Sequence, residues 1–360
     1  MGIALQDLYQ VTAISGGKDQ TLAHLKSGEV LGWGGAGSGR ITPFYVDICS
    51  SRGASTEPVY VGKPSSYSDI SAGYGISLGV SSAKTFIWGF CQVGIGGKDQ
   101  FSETPTLVSG TSNIRKVVAG QLIFAAIDQV GNVNTWGLNV DGALGRATPH
   151  MNASPGLVLG IPVMQEIALG DNFMLALTQD QRVYGWGSNS AGQLGLGHLN
   201  AVSTPEPITV PAKINSIAVG STHVLAVSTD GKVYGWGSNH FGQSSESANP
   251  YGVIPRPIPF PEKITAVAAG MHYSLALSLS GKVYAWGWNG FGQLGLGDLR
   301  PRRTPAVIPN LTGVRSIAAG EMHSLAIGKS QMLGWGNNSS KQIAKAADKQ
   351  MTPFSILDIA

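Results

Sequence analysis

ITAVAAGMHYSLALSLSGKVYAWG, residues 264–287, decides the fold, because the rest of the chain repeats this stretch. A close copy, INSIAVGSTHVLAVSTDGKVYGWG, lies 50 residues upstream at residues 214–237. Trp-Gly pairs recur at spacings of 48 to 55 residues, and a glycine precedes each tryptophan by 15 or 16 residues. The tryptophans are Trp33, Trp88, Trp136, Trp186, Trp236, Trp286 and Trp335, and the glycines are Gly17, Gly73, Gly120, Gly170, Gly220, Gly270 and Gly320. A repeat of this length indicates small units that bury their apolar faces only against one another.

Each unit has the local pattern of a small β-sheet. Short runs rich in Val, Ile, Leu and Tyr, bounded by Gly, Pro, Asp and Ser, are typical of strands. We interpret a Thr-Pro pair, or its equivalent, as the opening of each unit, and Asp230-Gly231 and Ser280-Gly281 as hairpin turns between the third and fourth strands. Four strands in each of seven units predict an all-β fold, a seven-bladed β-propeller. Small residues such as those of 268–270 are expected beside the central channel, and the seven repeated tryptophans between blades.

The ends of the chain predict how the ring closes. The last Thr-Pro pair, Thr352-Pro353, is followed by only seven residues, and Trp33 has no such pair in the few residues before it. We therefore expect one domain over residues 1–360, in which residues 352–360 add an outer strand to the blade begun by residues 9–36. The N- and C-terminal strands would then close the ring in one blade and remove free sheet edges.

Composition excludes several classes of protein. The chain is 42% hydrophobic and only 12% charged, which suits a well-buried β protein. A net charge of +3 is too small to imply a nucleic-acid or membrane partner. Cys49 and Cys91 have no zinc-ligand spacing, so we expect neither a metal nor a cofactor, and we read both as ordinary small residues.

The N-terminal segment and the apolar runs suggest where the protein is found. MGIALQDLYQ, residues 1–10, has no basic start, and Gln6 and Asp7 interrupt its apolar run. The apolar runs of the chain are too short for a membrane span. We therefore expect a cytoplasmic monomer, with export by a route that uses no cleaved signal as the alternative.

The repeat motifs resemble those of a known family. AAGMHYSLAL (268–277), AAGEMHSLAI (318–327) and WGWNGFGQLGLGD (286–298) are similar to regulator-of-chromosome-condensation (RCC1) repeats. The resemblance covers the chain and weakens in the first two units, at GGAGSGR (34–40) and CQVGIGGKD (91–99). It implies a seven-bladed propeller that binds other proteins.

Members of that family differ in what they do. The founding member is an exchange factor for a small GTPase and docks on nucleosomes, whereas similar bacterial propellers act as host-directed effectors or as inhibitors of hydrolases. Exchange by the founding member is associated with a wedge between two strands, for which we find no clear counterpart here. Residues 1–17 contain no Lys or Arg, so the basic tail used on chromatin is also absent and chromatin docking is not expected.

No set of side chains predicts catalysis. His223 and His323 lie three residues after a repeat glycine and His272 two residues after one, but they belong to separate units. We interpret each imidazole as satisfying backbone groups at a junction between blades. The GQLGLG strings lack the Lys-Ser/Thr of a phosphate loop and are read as turns. Neither a Ser/His/Asp set nor a carboxylate pair is recognisable. We expect a protein that is not an enzyme.

The candidate binding site comes from a position where one unit departs from its neighbours. Trp288 replaces the serine found at Ser188 and Ser238, and it is the only tryptophan outside the repeated seven. Aromatic residues flanked by arginines in loops are typical of protein-binding hot spots. The candidate partner-binding residues are Trp288, Phe291, Arg300, Arg302, Arg303, His240 and Phe241. The alternative is that Trp288 packs on its own blade and the arginines are solvated.

The sequence thus favours a non-enzymatic, protein-binding propeller that acts as a scaffold, effector or inhibitor through loops on one face. The partner would be a small GTPase or an enzyme. The alternative function is guanine nucleotide exchange on a small GTPase. Two further irregular stretches, residues 40–56 and 246–261, are either recognition loops or tolerated insertions.

Overall fold

Seven antiparallel four-stranded sheets form the blades of a β-propeller in a computed structural model of the chain. The structure describes residues 10–35, 55–64, 66–91, 100–148 and 153–358. Within these residues there is no α-helix, and a short 3-10 turn spans Val140–Gly142. None of the described segments forms a helix with the length and apolar character needed to cross a membrane. The predicted fold class is confirmed.

The strands follow one another from the channel outward in every blade. Blade 1 comprises β1 (Val11–Gly16), β2 (Gln20–Leu25), β3 (Val30–Gly34) and β4 (Ser55–Tyr60), and blade 2 comprises β5 (Asp69–Ala72), β6 (Ile76–Ser81), β7 (Lys84–Cys91) and β8 (Gln100–Leu107). Blade 3 comprises β9 (Ile114–Ala119), β10 (Ile123–Asp128), β11 (Val133–Gly137) and β12 (Ala153–Leu157), and blade 4 comprises β13 (Met164–Leu169), β14 (Phe173–Thr178), β15 (Val183–Gly187) and β16 (Val202–Ile208).

The same order holds in the remaining blades. Blade 5 comprises β17 (Ile214–Val219), β18 (His223–Ser228), β19 (Val233–Ser238) and β20 (Tyr251–Ile258). Blade 6 comprises β21 (Ile264–Ala269), β22 (Tyr273–Ser278), β23 (Val283–Gly287) and β24 (Arg302–Val307). Blade 7 comprises β25 (Ser316–Ala319), β26 (His323–Ile327), β27 (Gln331–Asn337) and β28 (Lys349–Asp358).

The repeat glycines lie where neighbouring innermost strands approach most closely. A Cβ atom on Gly17 would lie 2.4 Å from the carbonyl oxygen of Gly73, and one on Gly73 would lie 2.5 Å from that of Gly120. The amides that follow bridge the same gaps, since Lys18 N donates to Gly73 O at 3.1 Å. Any side chain at these positions would push the blades apart, which explains the glycine period in the sequence.

The seven repeated tryptophans fill the wider space between blades. All of them are at most 2% exposed. The indole Nε1 of Trp286 donates to Gln243 O of blade 5 at 2.9 Å, and that of Trp236 donates to Gln193 O of blade 4 at 3.0 Å. Each of these indoles therefore joins its own blade to a loop of the preceding one. The structural role predicted for them is confirmed.

The predicted closure of the ring is wrong. Strand β28 pairs with β27 of blade 7, whereas blade 1 contains its own outer strand, β4. The Thr-Pro equivalents therefore end a unit rather than open it. The hairpin at Asp230-Gly231 accordingly joins the second and third strands of its blade, not the third and fourth.

Blades 7 and 1 close the ring by packing and hydrogen bonding. A Cβ atom on Gly16 would lie 2.7 Å from Gly320 N, so the two innermost strands are in contact there. Trp33 Nε1 donates to Gln342 O at 3.1 Å, which is the same kind of bond that Trp186, Trp236, Trp286 and Trp335 make to the preceding blade. A shared strand is not needed, because this junction repeats those between successive blades.

Antiparallel order gives the propeller two distinct faces. The connections between first and second strands and between third and fourth strands lie on one face, which we call the loop face. The tight hairpins between second and third strands and the connections between successive blades lie on the other, which we call the hairpin face. All seven predicted partner-binding residues belong to the loop face of blades 5 and 6.

Candidate functional site

The loop that carries Trp288 is held in a fixed shape by a buried amide. Asn289 Nδ2 donates to Asp298 O at 2.8 Å and to Arg300 O at 3.1 Å, and its Oδ1 accepts from Leu294 N at 3.0 Å. Gln293 Oε1 accepts from the backbone amide of Phe291 at 2.9 Å. Both amide side chains are fully buried, so the loop is a rigid platform.

Four aromatic rings form a partly exposed cluster on this platform. The Trp288 ring lies 5.6 Å from Phe291, 6.3 Å from Phe241 of blade 5 and 6.5 Å from His272. Phe241 and His272 are 5.8 Å apart. These centroid distances are typical of favourable aromatic pairs. We call Phe241, His272, Trp288 and Phe291 the aromatic cluster.

His272 is a member of the cluster that sequence reasoning did not assign to the site. Its backbone oxygen accepts a hydrogen bond from Trp288 N at 2.9 Å, so the two residues are placed together by the backbone. Burial, followed by the nearby charge of His240, lowers the pKa of His272. The imidazole is therefore neutral at pH 7 and acts as an aromatic surface. The sequence did contain a signal for this residue, because His272 lies two residues after its repeat glycine, whereas His223 and His323 lie three residues after theirs.

The three arginines play different parts. Arg302 Nη2 lies 2.8 Å from Asp298 Oδ2, and Arg302 Nη1 donates to Arg300 O at 2.7 Å, so this side chain folds back onto its own loop. Hydrogen bonding to Arg302 accordingly lowers the pKa of Asp298. Arg300 is exposed, and its charge also contributes to the lowered pKa of Asp298.

Arg303 joins the outer parts of blades 5 and 6. Its Nη1 donates to His240 O at 3.1 Å and its Nη2 to Ser247 O at 3.0 Å. The exposed His240 ring packs edge-on against Tyr251 at 5.3 Å. These contacts place His240 and Arg303 at the rim of the site, where they shape the neighbouring loop.

A second cation beside the cluster comes from blade 7. Lys349 Nζ lies 5.3 Å above the centre of the Phe291 ring, within the range of a cation–π contact. The sequence did not reveal this contact, because Lys349 lies in the outer strand of the next blade, 58 positions after Phe291. The site thus spans blades 5 to 7, with an aromatic centre and the cations Lys349 and Arg300.

The two other candidate loops are less informative. Most of residues 40–56 lies outside the described residues. Within 246–261, strand β20 and the loop before it line a cavity of about 280 Å³, with Ser245, Tyr251 and Arg256 among its walls. This cavity opens at the rim of blade 5, and nothing in its chemistry selects a ligand.

The buried histidines connect blades. His223 Nε2 lies 3.0 Å from Ser274 Oγ of the next blade, and His323 Nε2 lies 3.1 Å from Thr21 Oγ1. Burial lowers the pKa of each imidazole to about 3. Both histidines lie at junctions between blades, as predicted, but the prediction that they satisfy backbone groups there is wrong for these bonds, whose partners are hydroxyl groups. It is wrong also for His272, whose ring belongs to the aromatic cluster and whose Nδ1 has no hydrogen-bond partner among the described residues.

One end of the central channel is lined by the residues that follow the repeat glycines. Burial raises the pKa values of Asp171 and Glu321 there, and neighbouring carboxylates raise that of Glu321 further. Lys18 Nζ lies 4.6 Å from the centre of the Tyr74 ring. The cavity holds about 140 Å³, and the described residues contain no group of His, Cys, Asp and Glu side chains suited to a metal ion.

Comparison with known proteins agrees with this geometry. A model of the RCC1-like domain matches residues 91–359, which is more than half of the chain. The chain belongs to the RCC1-like domain family. No curated protein sequence matches this RCC1-like chain.

Solved structures share its fold. Human WBSCR16 is 24% identical, with a TM-score of 0.81 over 91% of this chain and 93% of that one. Prp20p from Saccharomyces cerevisiae, described with its binding properties to Gsp1p and histones, is 23% identical, with a TM-score of 0.75 over 88% of this chain and 82% of that one. At these identities the likeness concerns the fold.

Proposed function

We propose that this RCC1-like propeller binds a protein partner through the aromatic cluster on the loop face of blades 5 to 7. The observation that carries the proposal is the cluster itself, which combines partly exposed rings with a rigid, hydrogen-bonded support. Pre-organised aromatic side chains lose little conformational entropy on binding, and they dominate the energetics of many interfaces.

The charged residues near the cluster indicate what kind of partner segment would bind. Lys349 places a positive charge over the Phe291 ring, and the exposed Arg300 adds a second positive charge on the loop that carries Trp288. A complementary segment would insert an apolar side chain among Phe241, Trp288 and Phe291 and place a carboxylate near the cations. Charge complementarity of this kind adds specificity and accelerates association.

Substitutions taken from other blades can test the proposal without disturbing the fold. Trp288→Ser introduces the residue found at Ser188, and Arg300→Asn introduces the residue found at Asn200. Wild type, this double variant and a hairpin-face control, Leu279→Thr, are used to capture proteins from a lysate of the source organism, and the bound proteins are identified by mass spectrometry.

The expected result is a protein retained by wild type and by Leu279→Thr but lost with the double variant. The purified partner should then bind the double variant at least about tenfold more weakly in calorimetry, as for the loss of a hot spot. Equal capture by all three proteins would refute the assignment of this face.

Guanine nucleotide exchange on a small GTPase is the second candidate, and membership of the RCC1-like family supports it. It predicts accelerated release of labelled guanine nucleotide from the captured partner, in addition to binding. A captured partner that is not a GTPase, or a GTPase whose nucleotide release is unchanged, favours a scaffold or inhibitor.

A further inference from the structure

Gly290 departs from the repeat two positions after Trp288. In blades 4, 5 and 7 the equivalent residues are Ser190, His240 and Ser339, and the side chains of all three are exposed. The φ angle of Gly290 is not positive, so a residue with a side chain can adopt its backbone conformation. The fold of the loop therefore does not require glycine at this position.

The indole of Trp288 occupies the space that a side chain at position 290 would fill. A Cβ atom on Gly290 would lie 2.6 Å from Cζ2 of Trp288 and 2.9 Å from its Cε2. Favourable contacts between carbon atoms are about 3.5–4.0 Å long, so a side chain at position 290 and the indole cannot both keep these places. The glycine thus makes room for the tryptophan, and the two departures from the repeat belong together.

Trp288 also costs its loop a hydrogen bond. In blade 5 the buried Gln243 Nε2 donates to Ser238 Oγ at 3.2 Å. Trp288 takes the place of that serine in blade 6, and an indole has no hydrogen-bond acceptor to offer. Gln293 Nε2 is buried without a partner among the residues that the structure describes, which disfavours the folded loop. Trp288 and Gly290 therefore serve something other than the stability of blade 6.

The contact with Gly290 fixes where the indole lies in the aromatic cluster. Trp288 is 5.6 Å from Phe291 and 6.3 Å from Phe241 while it rests against Gly290. The indole is partly exposed, so a side chain at position 290 would turn it outward into solvent rather than unfold the loop. The rings of the cluster would then no longer form one surface.

We propose that Gly290 is a positioning residue of the binding site and gives blade 6 its specificity, because it leaves the space in which the Trp288 indole is fixed. This inference rests on the proposed function, since it concerns the same site. Gly290 needs no contact of its own with the partner. An aromatic side chain held in its binding position loses little freedom on association, whereas a displaced one must first be restored to that position.

Quenching of tryptophan fluorescence by acrylamide tests the positioning without a partner. Trp288 is partly exposed, whereas each of the seven repeated tryptophans is at most 2% exposed, so the quencher reports on Trp288. Gly290→Ser, which introduces the residue found at Ser190, should increase the quenching constant and shift the emission to longer wavelength. The same change made together with Trp288→Ser should have no such effect. Unchanged quenching of the Gly290→Ser single variant would overturn the inference.

Calorimetry with the partner captured by wild type tests the effect on binding. Gly290→Ser should weaken binding at least about tenfold, as the loss of a hot spot does. In the Trp288→Ser background it should change the affinity less than about twofold, because the two residues act through one contact. Ser190→Gly is the matched control, since it makes the reverse change in a blade without the tryptophan, and it should leave binding unchanged.

The outcomes separate this inference from the proposed function. Wild-type affinity of Trp288→Ser would remove the proposed function and this inference with it. Affinity that is lost in Trp288→Ser but kept in Gly290→Ser would overturn the inference alone. So would equal weakening by Gly290→Ser with and without Trp288, because the glycine would then act through the loop. Gly290→Ala replaces the serine variant if the latter fails to fold.

Discussion

Blades 4 and 6 have the same internal framework but different exposed loops. Asn189 Nδ2 donates to His198 O at 2.9 Å, as Asn289 Nδ2 donates to Asp298 O at 2.8 Å. Trp186 Nε1 donates to Ala143 O at 3.0 Å, which matches the bond from Trp286 to the preceding blade. The buried asparagine and tryptophan of the two blades therefore make the same hydrogen bonds.

The difference lies in two side chains supported by that framework. Blade 4 has Ser188 and Ala191 where blade 6 has Trp288 and Phe291. Since the serine and alanine suffice for the loop to form, the aromatic residues of blade 6 are free to serve another purpose. Comparison of the repeats thus distinguishes the residues that every blade needs from Trp288 and Phe291, which only serve blade 6.

The largest expected effect at pH 7 comes from removing the tryptophan that both blades contain. Trp186→Ala and Trp286→Ala each remove a fully buried indole and a hydrogen bond between blades. Each should lower the free energy of unfolding by about 3–5 kcal/mol, measured by urea denaturation. A loss below about 1 kcal/mol for either variant would contradict the shared role.

A second effect is absent at pH 7 and develops only as the pH falls. It concerns the first residue of the second strand, where blade 4 has Phe173 and blade 5 has His223. Burial holds the pKa values of His223 and His323 at about 3 in the folded protein, whereas the unfolded chain takes up protons below about pH 6.5. The contribution of each histidine is therefore fully present above pH 6.5. It is lost as the pH falls toward 3, by about 1.4 kcal/mol per pH unit and histidine.

Glutamine provides the control for this pH dependence, because Gln20 occupies the same position in blade 1 and donates to Ser77 Oγ at 3.1 Å. The variant His223→Gln with His323→Gln should show a shallower loss of stability between pH 6 and pH 4 in denaturation at each pH. Identical slopes for variant and wild type would show that these imidazoles do not titrate on unfolding.

The repeat made most of the fold predictable. Its glycine and tryptophan periods reflect local volume, which is small beside the channel and large between blades, so seven four-stranded blades follow from the sequence. The unit boundary was misjudged because a Thr-Pro strand looks the same whether it begins or ends a blade. The hydrogen bonds between β28 and β27 decide this, and no local pattern reveals them.

The candidate site was only partly predictable for a similar reason. Trp288, Phe291 and Phe241 stand out as departures from the repeat, and the structure brings them together. Arg302 and Arg303 looked equally free, yet the first pairs with Asp298 and the second spans two blades. Such long-range contacts, like that of Lys349 with Phe291, depend on how neighbouring blades are juxtaposed.

Trp288→Ser should have the smallest effect on stability of the variants considered. This variant also provides the most direct test of the claim that blade 6 carries the binding site. The thermal unfolding of this variant is compared with that of wild type, and both proteins are titrated with the partner captured by wild type. We predict a stability change of at most about 1 kcal/mol, together with a loss of affinity of at least about tenfold. Undiminished affinity would contradict the claim that blade 6 carries the binding site, and unfolding of the variant would contradict the claim that its aromatic side chains are not needed for the fold.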